Sequence, residues 1–176
     1  MKIGLCGTMS VGKTTLVNAL KERSEFKNYM FRTERSKELM AQGIPLNTDS
    51  TLKGQTVFLA ERTSELMVEN IITDRTVVDV MAFARASKSI DITDKDRFEE
   101  YAKCFLKEYD YIFYVSPLGV EMEDNGIRET NIDYRDLIDF TIGKILDKQK
   151  HRIKNLNTLS GSTEKRIEQM LEALSS

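Results

Sequence analysis

The run Gly7-Thr8-Met9-Ser10-Val11-Gly12-Lys13-Thr14 matches G-x-x-x-x-G-K-[ST] at every position. An apolar stretch, Ile3 to Cys6, precedes it, and an amphipathic stretch with Leu16, Val17 and Leu20 on one face follows it. Strand, glycine loop and helix in that order constrain the fold more than any other feature of this chain. The glycines let successive backbone N–H groups turn inward around phosphate oxygens. The helix that opens near Lys13 adds the positive end of its dipole. Lys13 reaches the β- and γ-phosphates as a mobile point charge, Thr14 offers a hydroxyl to Mg²⁺, and Thr15 is placed to touch an α-phosphate. ATP and Mg²⁺ are therefore the expected ligands of Gly7, Thr8, Met9, Ser10, Val11, Gly12, Lys13, Thr14 and Thr15. Average residue usage allows a chance match in about one chain of this length in two hundred, which leaves little room for a plain glycine turn with a surface lysine.

Composition narrows the class by exclusion. The chain has 176 residues, 40% hydrophobic and 31% charged, with a formal net charge of −2. That size and apolar content suit one domain with its own core, taken here as 1–176. A near-neutral balance leaves no electrostatic footprint for a long nucleic-acid duplex. No apolar run is long enough for a membrane span or a signal segment. Cys6 and Cys104 form no metal or redox pair and read as buried or half-buried free thiols. A reducing cytoplasm is the expected compartment.

Short apolar runs alternate with longer amphipathic ones. Strands are expected at 3–6, 29–32, 71–73, 110–115 and 152–155. Helices are expected at 13–23, 34–41, 51–69, 77–86, 94–107, 133–150 and 163–174, with Val57, Leu59, Leu66 and Met67 as core positions of the third. Pro45 and Pro117 fall in loops. This alternation implies an α/β fold: a P-loop NTPase sandwich of three layers around a parallel sheet.

Four further segments bear on the chemistry, and each has a plainer reading. Asp74 lies just past the strand at 71–73, where a P-loop protein holds its second metal-linked carboxylate; it could equally cap the next helix. Glu34 and Arg35 follow the second strand, at the carboxyl end where ligands bind in open sheets. There Glu34 could take a proton from an attacking hydroxyl and Arg35 could hold a phosphate, or both could solvate a helix start. Arg128 and Arg135 belong to a polar segment, 119–136, that reads as a lid bringing guanidinium groups to developing charge, or as a solvated loop. Ser160 and Gly161 follow the last strand and could offer backbone hydrogen bonds to adenine, or merely precede a helix capped by Ser162 or Thr163.

Taken together, the loop 7–15, Glu34-Arg35, the run Thr73-Asp74-Arg75-Thr76-Val77-Val78-Asp79-Val80-Met81-Ala82-Phe83, the run Asp124-Asn125-Gly126-Ile127-Arg128-Glu129-Thr130 with Tyr134-Arg135, and Leu159-Ser160-Gly161-Ser162-Thr163-Glu164-Lys165-Arg166 resemble P-loop kinases of the ribosylnicotinamide-kinase type, small AAA-like domains. Thymidylate and deoxynucleoside kinases are similar in layout. The resemblance implies a five-stranded parallel sheet and ATP-dependent phosphorylation of a nucleoside or a (deoxy)nucleoside monophosphate. It places Lys13 and Thr14 on ATP and Mg²⁺, Asp74 and Arg75 beside metal and acceptor, Glu34 beside the acceptor hydroxyl, and Arg128 and Arg135 in the lid.

With no Trp in the chain, base stacking would fall to Phe58, Phe83 or Tyr29, each also a reasonable core residue. Arg32, Arg35, Arg62 and Arg75 would permit a phosphorylated acceptor, and equally could pair with carboxylates. Rival readings are a polynucleotide 5′-end kinase, which needs a basic channel, and a non-catalytic nucleotide-binding regulatory module. A GTPase switch would carry Asn-Lys-x-Asp, which is absent. His151, at a helix end, reads as structural. The helix at 51–69 offers a face for a homodimer.

Overall fold

The computed structural model describes residues 1–33, 35–118 and 132–175. In chain order the elements are β1 (Lys2–Cys6), α1 (Lys13–Lys21), β2 (Met30–Arg32), α2 (Ser36–Ala41), α3 (Leu52–Glu65), β3 (Ile71–Asp74), α4 (Val77–Ala86), α5 (Ile92–Ala102), β4 (Tyr111–Val115), α6 (Ile132–Gln149), β5 (Leu156–Leu159) and α7 (Thr163–Ser175). The five strands form one sheet in the order β2-β3-β1-β4-β5, and every pairing is parallel. Parallel neighbours require crossovers, and the helices supply them on both faces.

Side chains alternate across the sheet. Ile3 and Leu5 of β1, with Phe113 and Val115 of β4, join Leu16, Val17 and Leu20 of α1 and Ile167 and Met170 of α7. Cys6 and Ile112 face the other way, into a larger core built from α3, α4, α5 and α6. This period of two is what a sheet covered on both faces demands. The crossover order puts β1 at the centre, so the loop leaving its carboxyl end sits mid-sheet, at the edge where ligands bind in such folds.

Gly4 shows how closely the second layer approaches. A Cβ there would press on the Thr76 methyl and lie 2.8 Å from Cε1 of Tyr109. Tyr109 is fully buried and its hydroxyl accepts from the Val77 N–H at 3.3 Å, so the ring cannot withdraw cheaply. Gly4→Ala is expected to cost about 1–3 kcal/mol of stability by overpacking, read as a lower urea midpoint at unchanged slope.

Three expectations are corrected. The last strand lies at Leu156–Leu159, not 152–155. Lys150–Arg152 instead forms a 3-10 turn that extends α6, and Asn155 is spent on Asp110 and Ile112 before the register with β4 begins. Met67 is 84% exposed, because α3 ends at Glu65 and the helical period that would have turned it inward has stopped. Cys104 is exposed while Cys6 is buried; residues Lys103–Glu108 wind as a 3-10 helix, which sends Leu106 inward instead.

Candidate active site

β1 ends at Cys6 and the chain turns at once into the loop. Ser10 and Gly12 take left-handed conformations, with φ of 56° and 82°. At Gly12 this is the residue's own freedom at work. Gly12 is also the N-cap of α1, and it contributes no side-chain cap, nor is there an acidic residue in the first turn. The N–H groups that open α1 are thus left without the side-chain oxygens that other helices of this chain use, which is the arrangement of an anion site.

Lys13 is only 6% exposed. Its Nζ donates to the carbonyls of Gly7 and Thr8, both at 2.7 Å, so the side chain folds back across the loop it follows. Thr14 donates its hydroxyl to Oδ2 of Asp74 at 2.6 Å. These two oxygens come from the carboxyl ends of neighbouring parallel strands, β1 through its loop and β3 directly. They form a hard-oxygen pair suited to Mg²⁺, which takes few protein ligands and fills its shell with water and phosphate oxygens. No cluster of three or more His, Cys, Asp or Glu side chains exists among the described residues, so the pair does not suit a metal that wants a full protein cage. Thr15 is exposed at the helix start.

Asp74 does not cap α4. That role falls to Thr76, whose hydroxyl accepts from the Val78 N–H, with Asp79 returning a hydrogen bond to the Thr76 N–H to complete a capping box. Asp79 does more than cap. Its Oδ1 accepts from the Gly7 N–H at 3.1 Å and its Oδ2 from the Thr76 N–H and hydroxyl at 2.8 and 3.1 Å. It is fully buried. Burial pushes its carboxyl above the usual range, against the pull of Lys13 and Arg75. The capping-box spacing Thr76-x-x-Asp79 was visible in the sequence; the second partner, Gly7, was not.

Arg75 sits between Asp74 and this cap with φ of 93°, a left-handed strain of about 1–3 kcal/mol for a non-glycine residue. Its N–H donates to the Leu5 carbonyl at 2.9 Å, and its own carbonyl accepts from the Thr73 hydroxyl at 2.9 Å. Its guanidinium lies 3.8 Å from Asp79 and 4.9 Å from the centroid of the Phe83 ring. Of the three rings expected as stacking partners, Phe83 alone stands here. Tyr29 packs edge-on against Phe26 and Phe58 against the core.

Arg62, which the sequence left open between an acceptor phosphate and a carboxylate partner, is 3% exposed. It donates to the Asp74 carbonyl at 3.1 Å and to Glu65 at 2.8 Å. Burial pushes Glu65 up to about 7, with Glu61 adding to the rise and Arg62 opposing it. The unfolded chain would release that proton near 4.5. The stabilising contribution is therefore whole below about 4.5 and lost as pH rises through about 7. Wild type should lose on the order of 1–3 kcal/mol relative to Glu65→Gln between those limits, measured by urea unfolding across the range.

Arg35 is exposed and paired with Glu38 at 2.7 Å and Glu61 at 3.1 Å. The Arg135 carbonyl accepts from the Thr8 hydroxyl at 2.8 Å, so the start of α6 rests on the loop. The Ser160 N–H donates to Gln169 at 3.0 Å, Gly161 turns with φ of 86°, and Ser162 accepts from Lys165 as the cap of α7. Glu34 and Arg128 lie outside the described residues, as does most of the expected lid. Cys6, at the foot of the loop, has its thiol pushed well up by burial and by Asp79, which makes it unreactive. His151 is exposed in the turn after α6.

A parallel sheet in this order, with a glycine loop leaving its central strand and a carboxylate from the next strand bonded to the loop's threonine, defines a P-loop nucleotide-binding fold. The chain belongs to the AAA_28 family of AAA domains, whose profile matches residues 2–166. Its structure is similar to deoxyadenosine kinase from M. mycoides with dCMP and dCDP bound, at a TM-score of 0.73 and 18% identity over 99% of both chains. The same enzyme with dATP gives 0.72 and 19% over the full length of both. NadR in complex with NR gives 0.74 and 16%, covering 98% of this chain and 50% of that one. No curated protein matches by sequence. The chain shares the fold of these structures, as the resemblance implied, and among the described residues no helix is long and apolar enough to cross a membrane.

Proposed function

We propose that this protein is an ATP-dependent kinase that transfers the γ-phosphoryl group to a hydroxyl of a nucleoside. The observation that carries the reading is the 2.6 Å pairing of Thr14 with Asp74 beside a helix start that has no side-chain cap. Lys13 supplies mobile positive charge to the β- and γ-phosphates. Thr14 and Asp74 would hold Mg²⁺, which when bound neutralises developing phosphate charge. Asp74 and Arg75 face the acceptor from the end of β3, and Glu34 is assigned to the acceptor hydroxyl as proton acceptor. Arg128 and Arg135 are assigned to the lid. The work asked of these groups is orientation and charge stabilisation rather than covalent chemistry.

An uncharged nucleoside fits this site better than a monophosphate. Of the four arginines named for an acceptor phosphate, Arg35 is engaged by Glu38 and Glu61, Arg62 by Glu65 and Arg75 by Asp79, while Arg32, exposed at the end of β2, lies within the field of Glu65. An acceptor phosphate on the first three would have to displace a carboxylate, and on Arg32 it would face Glu65. Fold likeness to deoxyadenosine kinase and to NadR with NR bound agrees with a nucleoside acceptor.

The test is coupled ADP release against nucleosides, nicotinamide riboside, ribo- and deoxyribonucleoside monophosphates and a 5′-hydroxyl oligonucleotide. Turnover with nucleosides at rates at least about tenfold above those with monophosphates is expected. Preference for monophosphates would overturn the acceptor assignment. Turnover with the oligonucleotide alone would make this a polynucleotide end kinase, and ATP binding with silence across the panel a regulatory module.

A further inference from the structure

Arg166 is a buried cation that the proposed chemistry does not yet use. It stands near the positive end of α7, where a helix dipole disfavours positive charge. It is 3% exposed, burial pulls its pKa down, and its Nε has no hydrogen-bond partner. No carboxylate compensates it among the described residues. Its two hydrogen bonds go to backbone carbonyls: Val11 in the phosphate loop at 2.6 Å, and Ser116, just past β4, at 3.2 Å. A guanidinium buried at this cost without a counter-charge calls for a reason beyond helix packing.

The Val11 contact supplies one. In a trans peptide the C=O and the following N–H point in opposite directions, and the chain has no cis bond. Holding the Val11 carbonyl on the buried side therefore turns the Gly12 N–H to the open side of the loop. Gly12 is the residue most able to let that peptide flip, since it has no side chain and sits at φ of 82°. A Cβ on Gly12 would lie 3.2 Å from the Arg166 guanidinium, so the two are in immediate contact.

We infer that Arg166 is a positioning residue that locks the Val11–Gly12 peptide with its N–H toward the nucleotide phosphates, adding its charge from behind the loop. It also ties that peptide to the end of β4, and through α7 to the loop at Ser160–Ser162. This inference rests on the proposed binding of ATP at the loop.

The test is equilibrium binding of ATP and of adenosine to wild type, Arg166→Met and Arg166→Lys, with urea unfolding of each and the Gly12 amide resonance followed in ¹⁵N spectra. Arg166→Met should raise the Kd for ATP about 10- to 100-fold while changing that for adenosine less than about twofold. The Gly12 amide shift on ATP addition, large in wild type, should be largely lost. Arg166→Lys keeps the cation without the planar fork and should lose about 3- to 10-fold. A folded Arg166→Met with a wild-type Kd for ATP overturns the inference, and so does an equal loss for ATP and adenosine. If Arg166→Met does not fold, Arg166→Lys decides by the same comparison. Failure of wild type itself to bind ATP would instead overturn the proposed function, a distinct result.

Discussion

Lys13→Ala is expected to lower phosphoryl transfer by about 10³-fold or more, roughly 4 kcal/mol of transition-state stabilisation. The ammonium is the loop's own mobile cation, held 2.7 Å from the Gly7 and Thr8 carbonyls. To serve a nucleotide it exchanges these two neutral acceptors for phosphate oxygens, and a charged acceptor gives the stronger bond. Its site is nearly dry, which magnifies the charge it brings. Alanine removes that charge and leaves the rest of the cradle standing. Single-turnover transfer from labelled ATP measures the loss, and a rate within tenfold of wild type would remove Lys13 from the chemistry.

The second large effect concerns stability and binding together. Asp79→Ala is expected to cost about 3–5 kcal/mol in urea unfolding, and to weaken ATP binding in whatever fraction remains folded. Three donors converge on this carboxylate: the Gly7 N–H, the Thr76 N–H and the Thr76 hydroxyl. The carboxylate also neighbours Lys13 and Arg75. Donors and cations favour its charged form while burial opposes it. Alanine strands the donors and leaves the cations uncompensated at a fully buried position. Asp79→Asn keeps an accepting oxygen and should lose less than half as much. Equal losses from the two variants would mean that the charge, and not the hydrogen bonds, carries the effect.

How far the site was legible depends on how far apart its parts lie in the chain. The phosphate loop is local: eight consecutive residues between a strand and a helix, each step dictated by glycine freedom and helix polarity. Lys13, Thr14 and Asp74 stand where the motif and the strand end placed them. A parallel sheet follows from alternation and its five strands from the resemblance, and the structure bears both out, while the central place of β1 came with the structure. The arginines at 35, 62 and 75 could be named from sequence but not assigned, because whether each is free for a ligand depends on which carboxylates fold against it.

The residues missed are those whose roles exist only through distant partners. Asp79 reads as an ordinary capping-box acid until the fold brings it to Gly7, 72 positions earlier. Arg166 belongs to a run that matches the family but carries no role of its own until α7 packs beside α1 and brings it to Val11, 155 positions away. Met67 and the last strand were misplaced because a helix stop and a strand register are settled by neighbours rather than by pattern. The sequence by itself determined the parallel sheet and the glycine loop at the end of its first strand, since these rest on periodicity and backbone geometry. Only the tertiary structure decided which charges are buried against the loop and which are paired with carboxylates elsewhere, because buried charges are settled by what packs around them.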